Sequence, residues 1–109
     1  MSNYQTPEQR LTKEIMIYCG GRNWLCFHAN VGKVKLADGR YFETGLPKGF
    51  PDLTILTDKG QAIFCETKIH PRKPTPDQIK FINILRERGF LAFVAYSLEE
   101  FIEQVRNVA

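Results

Sequence analysis

Glu66 and Lys68 stand two residues apart in the β-rich run Gln61 to Ile69. Strand alternation puts their side chains on one face with Phe64, opposite Cys65 and Thr67. A charged pair on an otherwise apolar strand is costly to bury without a partner or a metal. Taken alone, it reads equally as a surface salt bridge on an edge strand. Asp52 shifts the balance. It follows the turn Gly49-Phe50-Pro51 and opens a second β-rich run, Asp52 to Thr57, joined to the first through Asp58-Lys59-Gly60. A hairpin of these runs brings Asp52 beside Glu66 and Lys68. Two carboxylates there are hard ligands suited to Mg²⁺ or Mn²⁺, with the backbone carbonyl of Thr67 as a further oxygen. Lys68 would point into the same pocket, to hold a phosphate oxygen or orient a water.

The elements that must position these residues follow from the local pattern. Thr6-Pro7-Glu8-Gln9 and Thr75-Pro76-Asp77-Gln78 both read as helix starts, each with a Thr cap, Pro at the first helical position and Gln placed for a capping box. The first helix runs to about Cys19 with Leu11, Ile15 and Tyr18 at helical spacing. The second carries Ile79, Ile82 and Leu85 and ends at Gly89. Trp24 to Val31 reads as a strand, and Lys33 to Phe42 as a hairpin around Asp38-Gly39. Phe90 to Tyr96 is apolar on both faces, as a central strand would be. Ser97 with Glu100 caps a last helix bearing Leu98, Phe101, Ile102 and Val105. The expected fold is α/β, a mixed β-sheet flanked by helices in the order α-β-β-β-β-β-α-β-α, with a β-α-β crossover through the second helix.

Composition sets the outer bounds. The chain has 109 residues, with 15 Lys and Arg against 12 Asp and Glu for a net charge of +3, and we expect one soluble domain over 1–109. No apolar run approaches the roughly 20 residues of a membrane span. The polar start, Met1 to Arg10, lacks the apolar core of a secretory signal, which points to the cytoplasm. Cys19, Cys26 and Cys65 are odd in number and lack CxxC spacing, arguing against a disulfide framework or a thiolate zinc site. Cys26 and His28 share a strand face but have no orienting acid, so they read as core residues rather than a nucleophile pair.

The ordered set Gly49-Phe50-Pro51-Asp52-Leu53, Glu66-Thr67-Lys68 and Gln78 at the next helix start resembles the VRR-NUC domain of the PD-(D/E)xK nuclease superfamily, of the stand-alone type. The likeness extends to an N-terminal helix glutamate, taken as Glu14, and to the pair Asn30 and Gly32. It implies a restriction-endonuclease-like core and a metal-dependent DNA endonuclease using Mg²⁺ or Mn²⁺. Asp52, Glu66 and the Thr67 carbonyl carry over as metal ligands, Lys68 as the catalytic lysine, Glu14 as a direct or water-mediated ligand, and Gln78 as a residue lining the site. A capping box with Thr75 would also explain Gln78. Phe50 replaces a smaller aliphatic residue and should alter only packing beneath the loop. Lys33, Lys35, Arg40, Lys48, Arg72 and Lys73 surround these acidic residues in sequence and would form a track for DNA phosphates. His70 could serve as a general acid, although a solvated loop position explains it. At this size the likeness implies a homodimer acting on branched DNA or a four-way junction, as a Holliday-junction resolvase does in repair. A flap or nicking endonuclease and a non-catalytic DNA-binding subunit are the alternatives. The Asp38-Gly39 hairpin and the last helix, through Phe101, Ile102 and Val105, are the candidate dimer surfaces.

Overall fold

The computed structural model describes residues 4–29 and 32–109; Asn30 lies outside them. Helix α1 (Pro7–Gly21) is followed by strands β1 (Leu25–His28), β2 (Lys33–Lys35), β3 (Tyr41–Glu43), β4 (Leu53–Leu56) and β5 (Ala62–Thr67). Helix α2 (Pro76–Glu87), strand β6 (Leu91–Ala95) and helix α3 (Leu98–Val105) complete the chain. This is the expected order. Both Thr-Pro starts form complete capping boxes, so each helix begins where side chains satisfy its free N–H groups.

Four strands form one sheet in the order β1-β4-β5-β6, antiparallel except for the β5-β6 pair that α2 connects, while β2 and β3 form a separate ribbon. Leu53 pairs with Cys65, which sets Asp52 beside Glu66 at one end of the sheet. On one sheet face Ile15, Leu53, Ile55, Ile63, Cys65, Phe93, Phe101 and Val105 form the main core; on the other, Ile82, Leu85 and Ala92 pack with Phe64 and Val94. All three cysteines are free thiols, and burial pushes Cys65 well above the usual thiol range.

Three expectations are corrected here. β6 is an edge strand, not a central one: helices cover both of its faces, and apolarity reports covered faces rather than paired edges. Phe101 and Val105 are fully buried, so α3 spends them on the core and cannot present them to a second copy. His28 is exposed instead of lying in the core: β1 is the other edge strand, and His28 faces an open concavity shared with Thr12 and Met16 of α1. Among the described residues no helix is long and apolar enough to cross a membrane.

Candidate active site

Asp52 is held by the residue between Glu66 and Lys68. The Thr67 backbone N–H donates to Asp52 Oδ2 at 3.1 Å and the Thr67 hydroxyl donates to the same oxygen at 2.9 Å. Thr67 is buried, so both donors are fixed. Its Oγ1 also lies 3.5 Å from Thr12 Oγ1 and from a Glu8 carboxylate oxygen. Glu8, Thr12, His28, Asp52 and Thr67 line a concavity of about 410 Å³.

Glu66 faces the other side of β5 and is only 1% exposed. Its Oε2 accepts from Gln78 Nε2 at 3.1 Å and lies 3.4 Å from Lys68 Nζ, whose side chain is 13% exposed. Gln78 serves two purposes. Its Oε1 accepts from the Thr75 N–H at 2.9 Å, closing the capping box and leaving the amide nitrogen to face Glu66. The same amide therefore closes the cap and contacts Glu66.

Glu66 Oε1 is buried and has no hydrogen-bond partner. Burial first, then the charge of Asp52, push the Glu66 carboxyl up to about 8, against the pull of Lys68. A buried orphaned oxygen beside a second carboxylate is an arrangement that a cation would relieve. The donor set is all oxygen, so it suits a hard divalent ion. Among the described residues there is no cluster of three or more His, Cys, Asp or Glu side chains able to hold a metal.

The loop before Asp52 is locked onto the start of α2. Gly49 has φ +92°, and a Cβ there would collide with the Asp77 carbonyl oxygen and lie 2.6 Å from its carbon. Phe50 packs on Phe64 and Phe81 with ring centroids 5.8 and 5.3 Å away. These contacts couple the Asp52 loop to the helix that presents Gln78.

Glu14 does not join this group. It is exposed, because the buried stripe of α1 is Leu11, Thr12, Ile15 and Cys19, and Glu14 sits about 100° around the helix from Ile15. Glu8 takes that place, one turn before Thr12 on the same face. In the sequence Glu8 has no role beyond standing in the helix start; its i, i+4 relation to Thr12 is the available signal. His28 is a further missed neighbour of Asp52. Lys33, Lys35, Arg40, Lys48, Arg72 and Lys73 are all exposed. Arg40 pairs with Asp38 at 2.7 Å and Lys48 with Asp77 at 3.4 Å, so those two would have to exchange a carboxylate for a phosphate.

Comparison with known proteins gives the fold and the family. A solved structure described as a VRR_NUC domain superposes with a TM-score of 0.73 over 96% of this chain and 100% of that one, at 24% sequence identity, and shares the fold. No curated protein shows a significant sequence match. The family model described as the VRR-NUC domain matches residues 7–99, and the chain therefore belongs to the VRR-NUC family of PD-(D/E)xK-type nucleases.

Proposed function

We propose that residues 1–109 act as one divalent-metal-dependent DNA endonuclease domain in the cytoplasm, with Asp52, Glu66 and the Thr67 carbonyl holding Mg²⁺ or Mn²⁺. The observation that carries this is the buried Glu66 Oε1 without a donor, set beside Asp52. When bound, the cation supplies Lewis acidity that lowers the pKa of a water and offsets charge developing on the phosphate. Lys68, largely enclosed beside Glu66, contributes a fixed positive charge to the phosphate oxygens or orients the attacking water. Gln78 keeps Glu66 in register, and Thr67 aims the free oxygen of Asp52. Glu8, across Thr67, is placed to orient water on the other side. The reaction is hydrolysis: water adds to phosphorus, one P–O ester bond breaks in line, and the departing oxygen gains a proton.

Lys33, Lys35, Arg40, Lys48, Arg72 and Lys73 would contact phosphates, giving affinity without base readout. The substrate we favour is branched DNA, a four-way junction above all, cut in pairs by a homodimer. The β2-β3 ribbon supports a dimer, since it exposes Tyr41 and Phe42 at 64% and 59%.

The test uses a synthetic four-way junction, a flap and a plain duplex with Mg²⁺, Mn²⁺ or EDTA. Paired, metal-dependent cuts in the junction that Lys68→Ala and Asp52→Asn abolish support the proposal. Cleavage of all three indicates a general nuclease, and tight binding without cleavage indicates a non-catalytic DNA-binding subunit.

A further inference from the structure

A second concavity, of about 350 Å³, adjoins the first through Glu8, which lines both. One wall is the start of α1. The other is the chain that continues β5 beyond Lys68, with Ile69, His70, Pro71 and Arg72. The His70 ring is stacked on Tyr96, with centroids 4.1 Å apart and planes 14° from parallel. Tyr96 Oη donates to the Arg72 carbonyl at 2.9 Å, and the Arg72 N–H donates to the Ile69 carbonyl at 2.9 Å. This loop is therefore held by Tyr96, the residue that follows β6, and the aromatic pair is packed without a ligand. Neither His70 nor Tyr96 has a task in holding Asp52, Glu66 or Lys68.

We propose that this concavity binds one unpaired nucleotide of the DNA next to the phosphate that is cut, its base against the His70, Ile69 and Pro71 surface and its phosphate on Arg72. An ordered aromatic and apolar wall beside an exposed guanidinium is the combination that holds single-stranded nucleic acid without reading its sequence. The volume is at the low end of the range for small-ligand sites, enough for one nucleotide and not for a base pair with its stacked neighbours. Contiguity through Glu8 places that nucleotide beside the Asp52 end of the sheet. Substrates that offer an unpaired nucleotide at a branch, including a four-way junction whose branch-point base pair opens, are then favoured over continuous duplex. The inference rests on the nuclease reading and adds what selects the substrate.

The test measures affinity of the full chain in EDTA for a duplex and for the same duplex carrying a short single-stranded branch, and then cleavage of both with Mg²⁺. We expect the branched DNA to bind about 10-fold tighter, His70→Ala and Arg72→Ala to shrink that preference to about twofold, and His70→Phe to retain it, as base stacking on an aromatic ring requires. Equal affinity of the wild type for both DNAs, or an equal loss for both in His70→Ala, would overturn the inference. Cleavage of both DNAs with no preference overturns it and leaves the nuclease reading intact. A branch preference that His70→Ala removes, with no cleavage of either DNA, supports the nucleotide site and removes the nuclease reading.

Discussion

The starts of α1 and α2 are built from the same local chemistry, Thr-Pro-acid-Gln, and both close a complete capping box. They deliver different residues to the site. At α2 the Gln at the third helical position turns its amide nitrogen to Glu66, while the acid, Asp77, faces outward to Lys48. At α1 the acid, Glu8, reaches Thr67, while the amide of Gln9 stays in its cap, exposed. Capping fixes where a helix begins; the rotation of the helix on the sheet decides which of its first residues meets the chemistry. Among the described residues only α2 has a backbone close enough to its neighbouring loop to demand glycine, at Gly49.

That difference can be broken at each point. The largest effect is expected from Gly49→Ala, which combines a positive φ with a collision against backbone and should cost about 2–4 kcal/mol in thermal or urea unfolding; no comparable residue lies at the start of α1. Gln78→Ala should lower cleavage by about 10- to 100-fold, the usual cost of losing a group that orients a metal ligand. Gln9→Ala should cost only a weakened cap, up to about 1 kcal/mol, with cleavage unchanged. Glu8→Gln should slow cleavage by about 10-fold, whereas Asp77→Asn should leave it unaltered, as expected for one exposed ion pair.

The last prediction concerns pH. Burial and the neighbouring Asp52 push the Glu66 carboxyl up to about 8 from an ordinary 4.5, so between these values the folded state is expected to hold a proton that the unfolded state has released. Stability without metal should fall as pH rises through that window and level off above it. Melting in EDTA from pH 5 to 8.5 should show that decline, and Glu66→Gln should flatten it; equal slopes in both proteins would remove the assignment.

Much of this was legible in the residues. Asp52, Glu66 and Lys68 could be placed because strand alternation and a short hairpin leave little freedom, and the two capping boxes were readable because each depends on four adjacent residues. The misreadings arose where tertiary placement decides. Glu14 lies near apolar residues in sequence, but the phase of the α1 stripe turns it to solvent and brings Glu8 inward. β6 looks central because two helices cover it, and nothing local distinguishes that from pairing on both edges. The cap explains Gln78 in the sequence, yet its amide has two ends, and the one the cap leaves over contacts Glu66.

The central claim is that Asp52 and Glu66 together form a cation site whose orphaned oxygen awaits the ion. Calorimetric titration of Mn²⁺ into the wild type, Asp52→Asn and Glu66→Gln near pH 7.5, in two buffers of different ionisation heat, tests it directly. The account predicts saturable binding to the wild type with proton release, and loss of that binding in both variants. Binding of equal strength in all three proteins would contradict it.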